Sequence, residues 1–250
     1  MTKEYNITQL SPDVTFEKHV FHRDQFAHYL RWTHVLKRAK IGMNILDFGC
    51  GTGNLAEVLY RNRYKAKNYL GLEFKKSTVD KANEKYKKID WVNFKQCDLV
   101  DNNLNEGNDW DIIVCFEVIE HVNKKNLDVF LSNIKKHCNE NTTVLLSTPI
   151  FDEKVGAANN HIIDGVIQEY KYSELKNQLE IYFKVEDTFG TFASQKDYKP
   201  LMNEWQKHMF YELNKYYDSN LISNIMAPFF PKESRNCLWI LKLIKSKGGI

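Results

Sequence analysis

The sequence predicts a doubly wound α/β sheet, and three observations carry that expectation. Short apolar runs at Asn44–Phe48 (NILDF), Tyr69–Leu72, Trp91–Lys95, Asp111–Phe116 (DIIVCF) and Thr143–Ser147 (TVLLS) alternate with stretches of helical period. The links between them are short, which favours parallel strands joined by right-handed crossovers. A glycine cluster, Gly49-Cys50-Gly51-Thr52-Gly53, stands between the first run and the helical stretch after it, where a strand would turn into a helix N-terminus.

Each element has its own signal. A helix is expected over Asp24–Lys37, with Phe26, Tyr29, Leu30 and Leu36 on one side. After the first strand, Leu55, Val58 and Leu59 keep helical spacing; after the second, Val79, Ala82 and Tyr86 do the same. The turn-rich NNLNEGND precedes the fourth strand. Leu127, Phe130, Leu131, Ile134 and Cys138 recur at three and four, an amphipathic helix, and Pro149 stops the fifth strand. Tyr172–Leu179 reads as a helix, Ile181–Thr188 as a sixth strand and Cys237–Ile244 (CLWILKLI) as a seventh. Between the last two lies a helical insertion, 197–231, with an apolar stripe at Met202, Trp205, Met209, Leu213 and Tyr216. The expected organisation is an N-terminal helical segment, 1–40, and one domain, 41–250, carrying that insertion.

Composition narrows the class. The chain has 250 residues, a net charge of +3, 43% apolar and 27% charged residues, so disordered and fibrous classes are excluded. No apolar run approaches the roughly 18 residues of a membrane span. MTKEYNITQL has no apolar signal core, and the five cysteines (Cys50, Cys97, Cys115, Cys138, Cys237) form no CxxC pair. Together these point to a cytoplasmic protein with no membrane partner and neither a zinc ribbon nor a disulfide framework. Bases dominate from Arg61 to Lys95, and Asp98 to Glu120 carries acids and no base. A solvated helix face explains the basic run better than a polyanion site does.

The glycine cluster is the strongest motif. Its glycines allow a tight turn and close approach of a ligand to main-chain N–H groups, and Glu73 ends the second strand about 20 residues on, where a carboxylate can grip ribose hydroxyls. Dinucleotide sites want G-x-G-x-x-G; here the spacing is G-x-G-x-G, with Asp47 two residues before the first glycine. On these residues the chain resembles the class I S-adenosylmethionine-dependent methyltransferases, over roughly residues 41–149. Asp98 in QCDLV and Phe116-Glu117 at the end of the fourth strand fall at matching strand ends. The resemblance implies a seven-stranded Rossmann-like sheet. It implies that the backbone of Gly49, Cys50, Gly51 and Gly53 approaches the donor, that Asp47 orients its amino-acid end and that Glu73 takes the ribose diol. Asp98 would meet the adenine amino group, Leu72 and Leu99 would sandwich the ring, and Phe116 would line the methionine end.

The acceptor side is less explicit. Glu117-Val118-Ile119-Glu120-His121 resembles a stretch common in small-molecule methyltransferases of the ubiquinone O-methyltransferase group, where Glu120 and His121 support the following helix. A second reading is a divalent-metal site of Glu117, Glu120, His121 and His161, resembling RNA 3′-end ribose 2′-O-methyltransferases. A third makes His121 the base. His161 and Glu169-Tyr170…Ser173-Glu174-Leu175 resemble a histidine-containing loop of small-molecule methyltransferases, with IIDGVIQ as extra length between His161 and Glu169. His161, His121 and Glu117 are thus the candidate catalytic residues. No Pro-Cys pair and no Pro-Pro-aromatic motif exists at the fourth strand, which argues against cytosine C5 and DNA amino methylation. Tyr198, Trp205, Phe210, Tyr211, Tyr216 and Tyr217 could stack an acceptor, about half of them being core by spacing. The expected function is methyl transfer to an oxygen or nitrogen of a small molecule or nucleotide. The alternatives are metal-assisted RNA methylation and a cofactor-binding module without chemistry.

Overall fold

The computed structural model describes residues 23–154, 156–157 and 161–244. In chain order its elements are α1 (Arg23–Leu36), β1 (Asn44–Phe48), α2 (Asn54–Arg61), β2 (Asn68–Glu73), α3 (Lys76–Tyr86), β3 (Val92–Gln96), β4 (Ile112–Phe116), α4 (Leu127–Lys136) and β5 (Thr143–Pro149). There follow β6 (Ile162–Ile163), β7 (Val166–Ile167), α5 (Tyr172–Tyr182), β8 (Phe183–Ala193), α6 (Gln195–Tyr198), α7 (Glu204–Leu213), α8 (Ser219–Met226) and β9 (Ser234–Leu243). Seven strands form one sheet in the order β3-β2-β1-β4-β5-β9-β8, and β6 and β7 make a separate two-stranded hairpin.

The five strands read first from the sequence are parallel, as expected from their helical crossovers. The last pair departs from that pattern: β9 runs antiparallel to both β5 and β8. A strand reached from β8 through a helical insertion can return beside it in the opposite direction without a crossover. The sixth strand also begins later than Ile181, because Ile181 and Tyr182 close α5.

Strand period 2 divides the core. Leu46, Ile113, Cys115, Leu146 and Trp239 point to one face, under α4 and α5. Ile45, Ile112, Val114, Leu145 and Ile240 point to the other, under α1, α2 and α3. Helices on both faces explain why the central strands are apolar without alternation. Phe130, Leu131 and Ile134 of α4 are fully buried, each stabilising the fold by about 1.5–3 kcal/mol.

Two helical faces differ from expectation. On α1 the buried positions are Ala27, Arg31, His34 and Val35, whereas Tyr29 is exposed, so the helix turns a basic, small-residue face inward. In the insertion, Trp205 and Tyr216 are exposed, and the local core is built by Tyr198, Met202, Phe210, Ile222, Met226 and Phe230. The insertion is broken into the end of α6, α7, α8 and intervening 3-10 turns, so one apolar stripe does not hold its register across it. The basic stretch is laced with ion pairs, among them Lys76–Asp80, Lys85–Glu57 and Lys87–Glu84. Among the described residues no helix is long and apolar enough to cross a membrane, and all five cysteines are free.

Because β1 to β5 are parallel, their carboxyl ends share one edge. β9 starts at that edge, with Asn236 opposite Pro149, and β8 ends there, with Ala193 opposite Ser234. The insertion therefore leaves and re-enters the sheet beside the strand ends that carry the motifs.

Candidate active site

The donor side begins at the β1–α2 turn. The N–H groups of Gly49 and Cys50 both donate to the carbonyl of Leu72, at 2.8 and 3.0 Å, which ties the turn to β2. Gly49 has φ +75°, and a Cβ there would lie 2.3 Å from Val118 Cγ2, so the position admits only glycine. Gly51, at φ +53°, is different: an added Cβ would meet nothing within 4 Å. The loop is packed at Gly49 and open at Gly51. Gly53 caps α2, and its carbonyl accepts from the Tyr86 hydroxyl at 2.9 Å.

The acids stand where the sequence put them. Asp47 is buried and accepts from the Tyr69 hydroxyl at 2.5 Å. Burial pushes its carboxyl up to about 7; the Tyr69 bond opposes the shift and the nearby Glu73 charge adds to it. Glu73 ends β2, with one oxygen accepting the Lys75 N–H at 2.9 Å. Asp98 is exposed, its Oδ1 held by the Val100 N–H at 3.0 Å, and Leu99 beside it is buried. Cys50 is buried, and burial pushes its thiol well up, so its side chain is a core atom set. Phe116 is half-buried against the β1–β2 face of the core. One expectation fails: Leu72 is fully buried and cannot sandwich a ligand, because it sits inside β2 and packs into the core beneath α4 and α5. Phe74, two residues on, is 67% exposed beside Glu73 and was missed.

Beyond the glycine turn, a second group is assembled from distant residues. Glu117 sits at φ +57°, unusual for a side-chain-bearing residue, and this aims it back across the sheet edge. Its carboxylate accepts from Ser147 Oγ and from Asn236 Nδ2, both at 2.8 Å, and pairs with Arg31 Nη2 at 3.3 Å. Arg31 was also missed; its only trace in the sequence is a base on the buried turn Ala27–Arg31–His34. The guanidinium is almost wholly buried and its Nε has no hydrogen-bond partner.

Glu120 turns into the core instead, where it is 1% exposed and accepts from Thr148 Oγ1 at 3.1 Å. Burial, then the Glu117 charge, raises its pKa far above the carboxylate range. The proposed metal set is therefore not brought together: among the described residues no three His, Cys, Asp or Glu side chains converge to hold an ion. His121 and His161 do meet, ring centroids 4.3 Å apart and edge to face. Burial and the neighbouring His161 hold His121 below the ordinary histidine value, against the pull of Glu117 and Glu73.

These residues fit S-adenosylmethionine. The open position at Gly51 leaves room for a ligand on the backbone, the orphaned Nε of Arg31 suits a carboxylate, and Asp47 suits an ammonium.

Comparison with known proteins agrees. A model of the methyltransferase domain family matches residues 21–209. The ubiquinone biosynthesis O-methyltransferase of Rickettsia conorii is 28% identical over 176 residues, covering 66% of this chain but only 57% of that protein. Its counterpart in Rickettsia akari is 28% identical over 187 residues, covering 72% of this chain and 69% of that one. Two solved structures share the fold. A TehB-like S-adenosylmethionine-dependent methyltransferase from Corynebacterium glutamicum is 14% identical, with TM-score 0.56, covering 86% of this chain and 87% of its own. A methyltransferase from Archaeoglobus fulgidus is 16% identical, also with TM-score 0.56, covering 88% and 94%. The sheet order, the glycine turn and the family match place this chain in the class I S-adenosylmethionine-dependent methyltransferase family.

Proposed function

We propose that this protein transfers the methyl group of S-adenosylmethionine to a hydroxyl of a small-molecule acceptor, most closely a phenolic one of the kind handled in ubiquinone biosynthesis. The observation that carries this reading is the His121–His161 pair at the carboxyl edge of the sheet, where a neutral imidazole can take a hydroxyl proton. The relatives named as O-methyltransferases support the oxygen acceptor.

The bound donor supplies an already activated methyl group. The chain's work is then to hold and align the two partners and keep water out. Gly49, Cys50, Gly51 and Gly53 present backbone to the donor, Glu73 takes the ribose diol, and Arg31 and Asp47 take the carboxylate and ammonium. Phe74 offers its exposed ring to adenine beside Asp98 and Leu99. Glu117 is engaged by Ser147, Asn236 and Arg31, so its role is to fix Arg31 and the methionine end rather than to move a proton. His161 takes the proton, with His121 packed against it.

The test is a radiolabelled-methyl screen of catechols, hydroxylated polyprenylbenzenes, primary amines, nucleotides and RNA. Base-stable product on the phenols alone supports the reading. Methylation confined to amines or RNA overturns it.

A further inference from the structure

We propose that Glu169 is a positioning residue that fixes the imidazole of His161 with Nδ1–H toward its carboxylate, leaving Nε2 to receive the acceptor proton; this rests on the O-methylation reading above. The Glu169 side chain is fully buried, at 0% exposure, and its Oε1 lies 3.7 Å from His161 Nδ1. That nitrogen is itself buried and has no hydrogen-bond partner. A buried ring nitrogen needs a hydrogen-bond partner, and this carboxylate oxygen is the acid that faces it. Catalytic hydrogen bonds are commonly long in the absence of substrate and tighten in the complex, so 3.7 Å is a small adjustment away from a bond.

The chain brings the two residues together by a specific device. His161 and Glu169 are separated by IIDGVIQ, which folds into the β6–β7 hairpin. Asp164 and Gly165 at its tip have φ +51° and +76°, the pair of positive values that a tight two-residue turn requires. The hairpin closes with Gln168 N–H donating to the His161 carbonyl at 2.8 Å. Gln168 then locks the base of the hairpin: its Nε2 donates to the Val166 carbonyl at 2.6 Å and its Oε1 accepts the Lys124 N–H at 2.8 Å. The next residues run beside the end of β5, where Phe151 N–H donates to the Tyr170 carbonyl at 2.8 Å. The extra length between His161 and Glu169 is thus spent on a closed loop, and its two ends stay adjacent. His121 packs its ring edge to face with His161 at 4.3 Å and limits the ring's rotation.

The chemistry follows from the tautomer. A neutral imidazole carries one proton, and a carboxylate facing Nδ1 holds it there, which leaves the lone pair on Nε2. When the acceptor O–H bond breaks, the proton passes to Nε2 and the electron pair stays on the oxygen that is to be methylated. The resulting imidazolium keeps Nδ1–H toward Glu169 and later gives the Nε2 proton to water.

The experiment uses the full chain labelled with 15N-histidine. Ring-nitrogen spectra of the wild type with and without S-adenosylmethionine, with His161→Asn to assign the signal, should show the Nδ1–H tautomer. Glu169→Gln should move the population toward Nε2–H, and Glu169→Asp should restore it in part. With catechol as acceptor, Glu169→Gln should lower kcat by about 10- to 1000-fold with KM within about twofold, a split that a purely structural defect would not give. An Nε2–H tautomer in the wild type, or a spectrum and kcat unchanged in Glu169→Gln, overturns the positioning role. The wild-type spectrum decides this even if the variants fail to fold. A wild type that binds S-adenosylmethionine yet methylates no phenol overturns the O-methylation reading and with it the base role of His161, whereas the tautomer still reports whether Glu169 sets the ring.

Discussion

The donor side and the acceptor side of this protein are built by different means. The donor side, as proposed, uses the carboxyl ends of β1, β2, β3 and β4, each with one short motif: the glycine turn, Glu73, Asp98-Leu99 and Phe116-Glu117. Its geometry follows from parallel pairing, because every strand end lands on one edge. The acceptor side, as proposed, draws on the turn after β4 and the β6–β7 hairpin, with the insertion springing from the same edge of the sheet. Between the two, at the methionine end, Arg31, Glu117, Ser147 and Asn236 come together from four separate stretches of chain. A site made of local motifs tolerates change elsewhere in the chain, and a site made of long-range contacts does not. The contrast can be broken or sharpened by experiment.

The largest effect is expected within the glycine turn itself. Gly49→Ala must accept a left-handed backbone, about 1–2 kcal/mol, and a Cβ 2.3 Å from Val118 Cγ2, about 1–3 kcal/mol more. Gly51→Ala carries only the backbone cost, since its Cβ meets nothing within 4 Å. Chemical denaturation should therefore show Gly49→Ala as the more destabilised by roughly the clash term. Donor calorimetry should show Gly51→Ala losing affinity out of proportion to its stability. Equal destabilisation in both would mean that the two glycines serve one purpose.

That difference bears on what was legible in the sequence. Asp47, the glycines, Glu73 and Asp98 could be located because each sits a fixed step from a strand end, and strand ends are marked by apolar runs. Leu72 lies within β2, where helices cover both faces of the sheet and bury it, whereas Phe74 lies just past the strand end and is exposed. Arg31 carries no local signal of its role, because nothing on α1 itself says that Glu117, just after β4, lies opposite its inner face. Glu120 and His121 were grouped by adjacency, but the 3-10 turn at Ile119–His121 sends the first into the core and leaves the second beside His161. The same adjacency suggested a metal set that the turn disperses. The hairpin between His161 and Glu169 registered only as added length, though its Asp-Gly tip is a turn signal that would have closed it.

Glu73 offers the next effect in size. Glu73→Ala removes the carboxylate proposed to take the ribose diol and should weaken donor binding by about 1.5–3 kcal/mol, read by calorimetry. The bond its carboxylate accepts from the Lys75 N–H is exposed, so melting should change little. Unchanged donor affinity would remove Glu73 from the site.

Asp47 gives a smaller, pH-dependent effect. Its carboxyl is pushed up to about 7 by burial, so below that pH it is protonated in the free protein. An ammonium placed beside it favours the ionised form and lowers its pKa in the complex. Binding then releases a proton between the two values, and affinity rises with pH up to about 7 and levels off above it. The slope is at most about 1.4 kcal/mol per pH unit. Calorimetry in two buffers of different ionisation enthalpy at pH 6 should reveal the released proton, and Asp47→Asn should abolish it. In the free protein the sign is opposite for folding: a raised carboxyl costs stability as pH climbs from its ordinary value through about 7. The donor should therefore raise the melting temperature more at pH 7.5 than at pH 5.5.

The smallest effect on the fold is expected in the insertion, and it tests whether the acceptor side extends there. Tyr211 and Tyr217 are 64% and 48% exposed, while Tyr198 and Phe210 form the local core, so the insertion has separated its aromatics into packed and presented sets. Both ends of the insertion lie at the carboxyl edge of the sheet, opposite Ala193 and Ser234, and every donor contact assigned above lies elsewhere. A connection of this length with its own small core is more than a link, and closing it over the strand ends would shed water from the acceptor. Tyr211→Ala and Tyr217→Ala each remove a mostly solvated ring, which should change stability by no more than about 0.5 kcal/mol. Donor affinity should also hold. If the insertion lids the acceptor pocket, KM for a phenolic acceptor rises in one or both variants while the melting temperature stays put. If both variants methylate normally and melt early, the exposed tyrosines brace the insertion, and the acceptor side ends at the His121–His161 pair.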